Sequence, residues 1–594
     1  MNRLKTAPQP RRAATLGRML RYTKPHVLLL ALSLLLSLVY VLAALLAPVF
    51  IGRAVDHILG PGSVDFGGVL VNSLLVGVSA GAAALSRYAA AYTLNAVTYR
   101  TITGLRNDAY DKLAALPVAY IDSHSHGDIM ARIVTDIDLI SDGLIQGFSQ
   151  LFTGILTIAG TLALLIAANW LVAAAVVLFT PLSLFVAYFI ARGTHSMFQS
   201  QAKDRGDLTA LSEEMLGSQL TVKLFGQEAA AQRRFEAINE SFKKSSQNAA
   251  FYSAMVNPST RFVNGLIYLT VCILGVLSVI AAGGGFFGLA GALTVGELSS
   301  LLLHVNHYTK PFNEITGVVT EFQTALAGGR RVLDLLDEAE LTPDRTLPAL
   351  AVAGGGVELR DMAFSYTPDR PLIEDFTLSV VSGKRVAIVG PTGCGKTTVI
   401  NLLLRFYETD AGSIEVDGQN IRGVTRLSLR TAYGMVLQDT WLKKGTIYEN
   451  IAYGKPDATP EEVAEAAAAA RIRKFIERQP AGYDTLLDEN GGNLSEGQKQ
   501  LLSIARVMLV RPPMLILDEA TSNLDLRTEI RVQKALKQLM EGKTSFIVAH
   551  RLSTIQNADI ILVMKDGKII EKGNHAELLS QKGFYHELYN AQFS

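Results

Sequence analysis

Long uncharged apolar segments, separated by charged ones, occupy the first half of the chain. Residues 27–51 form the first of them, with no charge over 25 positions, and about 20 apolar residues are enough for a helix to cross a hydrocarbon core ~30 Å thick. A signal peptide would have a shorter apolar core and a small-residue cleavage site, so this segment is predicted to be a retained membrane span. A second uncharged stretch, 67–86, predicts a helix that continues to about residue 97.

Two further uncharged runs predict three more spans. Residues 143–191 hold 49 positions without a charge, which is too many for one span and enough for two helices joined at 169–170. The run 262–296 divides into an apolar part that ends near residue 282 and a Gly-rich part in which helix is disfavoured. The pattern therefore predicts a third and a fourth span, then a fifth span followed by an outer loop.

The distribution of basic residues sets the orientation of these helices. The first 24 residues carry seven Lys or Arg and no acidic residue, and the positive-inside rule places such an end in the cytoplasm. Segments 98–143 and 192–257 carry four and eight Lys or Arg, whereas the connections on the opposite side carry only Arg53. The two long segments on this side, 87–142 and 192–261, contain few helix breakers, so they are predicted to be helices that project into the cytoplasm.

Composition agrees with a membrane protein of more than one domain. Charged residues make up only 18% of the 594 residues, which a soluble protein of this size would find hard to keep in solution, and chains this long usually split into several domains. A net charge of +1 gives no concentrated basic face, so a nucleic-acid partner is not expected. Two cysteines, Cys272 and Cys394, form neither a disulfide framework nor a metal cluster.

A phosphate-binding motif stands in the C-terminal third. The predicted strand 384–389 runs directly into GPTGCGKTT, which matches GxxxxGK[ST]. Between a strand and a helix, such a loop holds phosphates with its backbone N–H groups, while Lys396 reaches the β- and γ-phosphates and Thr397 binds Mg²⁺. The predicted nucleotide-binding residues of this loop are Gly390, Pro391, Thr392, Gly393, Cys394, Gly395, Lys396, Thr397 and Thr398. A redox role for Cys394 is an alternative, but a small residue that fills the loop is the simpler interpretation.

Two adjacent carboxylates follow an apolar run further along the chain. Residues 514–517 are apolar and end in Asp518 and Glu519, as expected where the edge of a sheet meets a nucleotide. Asp518 suits Mg²⁺, and Glu519 is placed to polarise or deprotonate the attacking water. Without Glu519, ATP should bind but not turn over.

With the signature LSEGQ at 494–498 just ahead of Asp518, these motifs resemble those of the ATP-binding-cassette (ABC) proteins, specifically half-size exporters with six spans and one nucleotide-binding domain. The resemblance covers nearly the whole chain, and the signature is its most specific mark because other phosphate-loop ATPases lack it. The resemblance implies an adenine-stacking Tyr366, a Gln438 that senses Mg²⁺ and the γ-phosphate, a D-loop that contains Asp525, and a switch histidine, His550.

The resemblance also implies that two copies of the domain are needed. In this family ATP lies between the phosphate loop of one domain and the signature of the other, so the signature of this chain would complete the ATP site of a partner. The signature residues are Leu494, Ser495, Glu496, Gly497 and Gln498, the implied catalytic residues are Glu519, His550, Gln438 and Lys396, and the implied Mg²⁺ ligands are Thr397, Gln438 and Asp518. Segments 117–128 and 212–228 resemble the two coupling helices of the family.

A sixth span follows from parity. A cytoplasmic start and a cytoplasmic ATPase need an even number of crossings, so a span is predicted at 297–320, although five polar residues interrupt it: Glu297, His304, His307, Lys310 and Glu314. Polar residues inside a membrane usually face a cavity or protein. Three alternatives remain open for His304, His307 and Lys310, namely lining a substrate cavity, carrying protons, and a position at the membrane interface.

The predicted fold class is multidomain, with an all-α polytopic transmembrane domain and an α/β P-loop ATPase domain of ABC type. The predicted parts are an N-terminal cytoplasmic segment 1–25, a transmembrane domain 26–325, a linker 326–354 and a nucleotide-binding domain 355–594. The predicted spans are 27–51, 67–97, 143–168, 170–191, 262–282 and 297–320.

The function implied by the resemblance is ATP-driven export of an amphipathic drug or lipid, by a dimer in a bacterial-type plasma membrane with its ATPase domains in the cytoplasm. ATP and Mg²⁺ are the expected cofactors. A second half-transporter, the lipid bilayer and the substrate are the expected partners, and no nucleic acid is expected. The alternatives are an ATP-gated channel or channel regulator, and one subunit of a heterodimer whose partner has a degenerate site. The uncharged runs 27–51 and 143–191 exclude a soluble ABC ATPase.

Overall fold

The computed structural model of the chain describes residues 12–58, 63–280, 293–367, 369–437, 440–518, 525–548 and 555–591. These residues form two compact units. A helical unit consists of residues 1–114 and 125–338, and a C-terminal unit consists of residues 115–124 and 339–594.

Long helices make up the helical unit. Those that precede Asn169 are α1 (Arg12–Arg21), α2 (Val27–Asp56), α3 (Phe66–Ala115), α5 (His126–Ile133), α6 (Thr135–Gln146) and α7 (Phe152–Ala168). A π-helical turn at Gly147–Leu151 lies between α6 and α7. Helix α4 (Val118–Ser123) belongs to the C-terminal unit. The helices that follow Asn169 are α8 (Trp170–Gly217), α9 (Gln219–Leu224), α10 (Glu228–Ile280) and α11 (Val295–Asp337).

Among the described residues, four long helical segments are apolar enough to cross a membrane: Lys24–Asp56, Phe66–Ala115, His126–Ala168 and Glu228–Ile280. A shorter apolar helical stretch lies at Trp170–Leu182. The predicted sixth span is helical as the first part of α11, and the number of crossings stays a prediction. The predicted outer loop after the fifth span falls mostly at 281–292, outside the described residues.

Many large apolar side chains of helix α2 are exposed, whereas its buried residues include two serines as well as Val41 and Leu45. Leu28 and Leu35 are exposed, whereas Ser33 and Ser37 are buried. The Ser33 hydroxyl donates a hydrogen bond to the Ala90 carbonyl oxygen of α3 at 3.0 Å. This distribution suits a lipid environment, in which outer surfaces are apolar and small residues let helices approach closely.

The boundary at Asn169 has a local cause, whereas the end of α11 depends on packing. Asn169 separates α7 from α8, and its side-chain oxygen accepts hydrogen bonds from the backbone N–H groups of Leu171 and Val172, both at 3.1 Å, as an N-cap does. Helix α11 runs on to Asp337, so the first part of the predicted linker, 326–337, is helical. Val332 and Leu335, which are fully buried, continue the helical period of α11 beyond the end of the apolar span.

Two main sheets form the framework of the C-terminal unit. A four-stranded sheet has the order β2-β1-β4-β5, and a six-stranded sheet has the order β12-β11-β3-β10-β9-β6, in which the five strands other than β12 run parallel. The strands are β1 (Val357–Phe364), β2 (Ile373–Val380), β3 (Arg385–Val389), β4 (Ala411–Val416), β5 (Gln419–Asn420), β6 (Tyr433–Val436), β7 (Gly445–Thr446), β8 (Leu486–Leu487), β9 (Met514–Asp518), β10 (Thr544–Val548), β11 (Ile560–Lys565) and β12 (Lys568–Gly573).

Helices cover both faces of the six-stranded sheet. They are α12 (Lys396–Leu403), α13 (Arg426–Ala432), α14 (Ile447–Ile451), α15 (Pro460–Ala469), α16 (Arg473–Ile476), α17 (Glu496–Val510), α18 (Leu526–Met540), α19 (His575–Gln581) and α20 (Phe584–Ala591). Strand β3 shows why both faces are buried: Val386 and Ile388 belong to one hydrophobic core, and Ala387 and Val389 belong to the other. Alternate residues of a strand point to opposite faces, so an apolar strand of this kind is central.

Residues 115–124, from the first predicted cytoplasmic segment, are part of the C-terminal unit. The Leu341 N–H group donates a hydrogen bond to the Ala115 carbonyl oxygen at 3.1 Å, and Tyr120 of α4 is buried. Segment 117–128, which resembles a coupling helix, therefore contains a short helix, Val118–Ser123, and this helix folds with the C-terminal unit.

Candidate functional site

The phosphate-binding loop lies between β3 and α12, and its glycines are required by its shape. Gly393 and Gly395 have φ values of +85° and +100°, which favour glycine strongly. At Gly390 a Cβ atom would lie 2.2 Å from the Met564 carbonyl oxygen. The loop can therefore keep this path only with glycine at these positions.

Lys396 lies at the start of α12, where the N–H groups of the first helical turn have no partner within the helix. Its ammonium group donates hydrogen bonds to the carbonyl oxygens of Gly390 and Pro391, at 2.9 and 3.0 Å, and the residue is largely buried. These contacts hold the positive charge over the loop beside the positive end of the helix dipole. The arrangement suits a phosphate group, which would accept hydrogen bonds from both.

Cys394 lies inside the same loop. It is 4% exposed, and burial raises the pKa of its thiol. A redox switch needs an accessible thiol with a lowered pKa. The environment of Cys394 therefore fits a side chain that fills the loop.

The other predicted catalytic and Mg²⁺-binding positions come at or just after the carboxyl ends of parallel strands in the sequence. Strand β10 lies between β3 and β9, and its last residue, Val548, pairs with both Ile388 and Asp518. Strands lie about 4.8 Å apart, so Asp518 lies at the same edge as the phosphate-binding loop, about 10 Å away across β10. Thr397, the other predicted Mg²⁺ ligand in the described residues, is exposed at the start of α12. Hydroxyl and carboxylate oxygens are donors that Mg²⁺ prefers.

Three predicted catalytic residues follow strands of this sheet but lie outside the described residues. Glu519 follows β9 directly, His550 comes two residues after β10, and Gln438 comes two residues after β6. Because these strands are parallel, their carboxyl ends, which the three residues follow in sequence, share one edge of the sheet. Their roles stay predictions.

Tyr366 lies beside the phosphate-binding loop with one hydrogen bond to it. Its hydroxyl is 3.2 Å from the hydroxyl of Thr398, and its side chain is half exposed. Phe364 and Tyr407 meet its ring edge to face, with ring centroids 4.9 and 5.0 Å away. The position fits the predicted stacking of adenine on Tyr366.

The signature begins helix α17. Ser495 is the N-cap: its hydroxyl oxygen accepts a hydrogen bond from the Gln498 N–H group, and its own N–H group donates to Gln498 Oε1 at 2.9 Å. Ser495 and Glu496 are exposed, whereas Gly497 is buried. The start of a 15-residue helix with an exposed hydroxyl is therefore open to an anion outside the chain.

Asp525 is the N-cap of α18. Its carboxylate accepts a hydrogen bond from the Thr528 N–H group at 3.0 Å, and bonds from the Thr528 side chain and backbone lower the pKa of this carboxyl group. The structure thus gives Asp525 a local structural role beside its predicted place in the D-loop.

The loop after Gln438 is held by residues that the sequence motifs do not include. Asn450 is buried, accepts a hydrogen bond from the Lys443 N–H group and donates to the Lys443 and Thr446 carbonyl oxygens. Arg506 donates to the carbonyl oxygens of Asn450 and Trp441. Asn450 and Arg506 belong to none of the sequence motifs, and their positions in the sequence do not identify contacts as distant in the chain as that between Arg506 and Trp441.

The polar residues of α11 differ in their surroundings. His304 is 2% exposed, and its ring nitrogens lie 2.7 Å from the Ser300 carbonyl oxygen and 3.2 Å from the Leu45 carbonyl oxygen of α2. His307 is half-buried and Lys310 is exposed. His304 therefore connects α11 to α2. The side chain of Lys310, in contrast, is not covered by other residues of the chain.

Comparison with known proteins agrees with this architecture. The family model for the ABC transporter transmembrane region matches residues 30–309, and the family model described as ABC transporter matches residues 373–522. The chain is 43% identical over 510 residues to a fatty acid ABC transporter ATP-binding/permease protein of Mycobacterium bovis, which covers 86% of this chain and 79% of the relative. It is 34% identical over 580 residues to an ATP-dependent lipid A-core flippase of Thiobacillus denitrificans, with coverage of 97% and 98%.

A solved structure of a bacterial Atm1-family ABC exporter with ATP bound has a similar fold. The TM-score is 0.76 at 28% sequence identity, and the match covers 96% of this chain and 98% of that one. The predicted fold class and the resemblance to ABC exporters are thus confirmed. Because this chain matches both family models and is at least 34% identical to ABC transporters that it covers to 79% and 98% of their length, the chain belongs to the ABC transporter family as an integral membrane half-transporter that couples ATP hydrolysis to export.

Proposed function

We propose that the chain works as one half of a dimer that exports an amphipathic lipid-class substrate, with ATP and Mg²⁺ bound at sites shared between two nucleotide-binding domains. The exposed N-cap of the signature helix carries this proposal. Ser495 offers a hydroxyl at the positive end of α17, while Lys396 and the phosphate-binding loop belong to a different part of the same unit. A γ-phosphate held by the loop of one chain and capped by Ser495 of another would use both anion-binding elements.

An uncovered apolar tip supports a second subunit. Helix α9 and its flanks carry four large apolar side chains that are strongly exposed: Leu216, Leu220, Leu224 and Phe225, at 73%, 82%, 76% and 68%. They lie in a segment predicted to be cytoplasmic, where lipid would not cover them. Clustered exposed apolar residues of this kind indicate a protein partner. We assign that place to the nucleotide-binding domain of the other half-transporter.

The catalytic roles follow from the chemistry of the side chains. Lys396 and the N–H groups of the loop would neutralise and orient the phosphates, and Glu519 would orient and deprotonate the attacking water. His550 and Gln438 would contact the γ-phosphate side of the nucleotide. Mg²⁺, which would be held by Thr397, Gln438 and Asp518, would offset negative charge on the phosphate oxygens.

The class of substrate is proposed from the relatives and from α11. One relative is named for fatty acid and another for lipid A-core. Fatty acids and lipid A are amphipathic anions. Lys310 is exposed in the predicted sixth span, where charged residues are energetically costly and usually mark functional sites. We assign Lys310, with His307 one turn away, to the head group of the cargo. His304 is assigned to helix packing.

We place the ATPase domain on the cytoplasmic side of a bacterial plasma membrane, with transport directed outward. The basic N-terminal segment and the basic segments 98–143 and 192–257 support this orientation.

The test is to express the chain alone, reconstitute it in nanodiscs, and measure its oligomeric state and Mg-ATPase activity beside Glu519→Gln. We expect a dimer with activity that palmitate stimulates and that the variant abolishes. An inactive monomer would indicate a different partner chain. Absence of ATPase activity in a confirmed dimer would contradict the catalytic assignment, and ATP-dependent ion conductance without cargo movement would contradict export.

A further inference from the structure

A single side chain, Tyr407, contacts both helix α4 and the ring predicted to stack on adenine. We propose that Tyr407 is a positioning residue that ties the adenine side of the ATP site to α4, so that a base bound on Tyr366 holds α4 in place. The proposal rests on the proposed ATP site and goes beyond it, because it links α4 to the base of the nucleotide rather than to the phosphates. All of the residues involved belong to the C-terminal unit.

The first contact joins Tyr407 to α4. The Tyr407 hydroxyl donates a hydrogen bond to Asp122 Oδ2 at 2.5 Å, across 285 positions of sequence. Burial and the Asp122 carboxylate raise the pKa of the Tyr407 hydroxyl, so it remains a protonated donor at physiological pH. Hydrogen bonds to a charged acceptor are about twice as strong as neutral ones, and this bond therefore anchors α4.

The second contact joins Tyr407 to the base side of the site. The rings of Tyr407 and Tyr366 meet edge to face, with centroids 5.0 Å apart and planes at 89°. Phe364 completes the cluster, with its ring centroid 4.9 Å from that of Tyr366 and 5.6 Å from that of Tyr407. Edge-to-face pairs are directional, so a base that fixes the plane of Tyr366 also restricts Tyr407.

The backbone beside Tyr407 reinforces this link. Asp410 Oδ2 accepts hydrogen bonds from the Ser365 N–H group at 2.8 Å and from the Ser365 hydroxyl at 2.9 Å. Ser365 directly precedes Tyr366, whose hydroxyl lies 3.2 Å from that of Thr398 in α12. The segment 407–410 therefore holds the turn that presents the stacking ring.

The residues on either side of Tyr407 are fixed to the core. The guanidinium group of Arg405 donates to Glu408 at 2.7 Å and to the carbonyl oxygens of Ile421 and Val424. The guanidinium group of Arg430 lies 4.8 Å from the centroid of the Phe406 ring. Because the backbone around Tyr407 is held in this way, a change at Tyr366 is passed to the Tyr407 side chain, and from there to Asp122.

A purely structural anchor would hold α4 equally with and without nucleotide, so the test measures dependence on nucleotide. Hydrogen exchange followed by mass spectrometry compares peptides covering 118–123 and 390–398 in the full-length Glu519→Gln protein in nanodiscs. ATP and tripolyphosphate, which has phosphates but no base, are the two ligands. The variants are Tyr407→Phe, Asp122→Ala and Asp122→Asn. Tyr448→Phe is the matched control, because the Tyr448 hydroxyl donates to the Ala458 carbonyl oxygen at 2.6 Å elsewhere in the same unit.

With Tyr407 intact, we expect ATP to slow exchange several-fold in both peptides and tripolyphosphate to slow it only in 390–398. Tyr407→Phe and Asp122→Ala should lose the ATP effect on 118–123 and keep it on 390–398. Asp122→Asn, which keeps an acceptor oxygen, should retain part of the effect, and Tyr448→Phe should retain all of it. Protection of 118–123 by tripolyphosphate, its absence with ATP, or its persistence in Tyr407→Phe would overturn the proposal. Failure of ATP to protect 390–398 would instead overturn the ATP site itself.

Discussion

Replacing the signature serine tests whether it acts on ATP or only caps a helix, because the chain contains a matched cap elsewhere. Ser495 and Gln498 form a capping box at α17, and Thr459 and Glu462 form the same motif at α15. The Ser495 hydroxyl oxygen accepts a hydrogen bond from the Gln498 N–H group at 3.4 Å, and the Thr459 hydroxyl oxygen accepts one from the Glu462 N–H group at 3.3 Å. The substitutions Ser495→Ala and Thr459→Ala therefore remove equivalent local contacts.

The structural part of the effect should be similar in the two variants. Loss of a cap costs roughly 0.5–2 kcal/mol, and 1 kcal/mol shifts the melting temperature of a domain of this size by about 2–4 °C. Ser495→Ala should in addition lose the hydroxyl donor to the partner's γ-phosphate, because a hydroxyl can accept one hydrogen bond and donate another. A hydrogen bond to a charged group contributes about 1.5–3 kcal/mol, which corresponds to about 10- to 150-fold in kcat.

Thermal unfolding and steady-state ATPase activity at saturating Mg-ATP provide the two measurements. We expect both variants to melt a few degrees below the parent protein and only Ser495→Ala to lose turnover by more than tenfold. Equal loss of turnover in the two variants, or turnover of Ser495→Ala within twofold of the parent, would refute the assignment of Ser495 to the phosphate.

Three further outcomes test other parts of the site. Gly390→Ala should abolish fluorescent ATP-analogue binding in a titration, since its Cβ would lie 2.2 Å from the Met564 carbonyl oxygen; retained affinity would show that the loop can adapt. Cys394 should react with iodoacetamide several-fold more slowly than glutathione at pH 8, because a raised pKa leaves little of the reactive thiolate at that pH, and labelling as fast as glutathione, measured by mass spectrometry, would contradict its burial. Lys310→Gln should reduce palmitate-stimulated ATPase activity with little change in melting temperature, whereas His304→Leu should lower the melting temperature and leave the stimulation; the reverse pattern would exchange their assigned roles.

The motifs were predictable from sequence because their constraints are local. The loop 390–398 needs three glycines within six positions of the chain, and the strand before it is apolar at every position from 386 to 389 because both faces are buried. The division of the uncharged run at Asn169 also has a local cause, since this residue caps the next helix with its own side chain.

Other features depend on contacts between distant residues and leave little trace in the sequence. Helix α11 extends to Asp337 because Val332 and Leu335 find a packed environment after the apolar span has ended. Tyr407 and Asp122 belong to no recognisable sequence motif, and their hydrogen bond joins residues 285 positions apart in the chain. Hydrophobic patterning detects a buried face but does not identify what covers it.

The most direct test of the shared ATP site uses dimers of two differently tagged chains that all carry Glu519→Gln, with ATP retained after gel filtration as the measurement. In the first dimer, one chain carries Lys396→Ala and the other carries Ser495→Ala. In the second, one chain carries both substitutions and the other carries neither. If each site joins the loop of one chain to the signature of the other, the first dimer keeps one intact site and retains ATP, while the second has none and retains no ATP. Retention by the second dimer and not by the first would contradict the shared site.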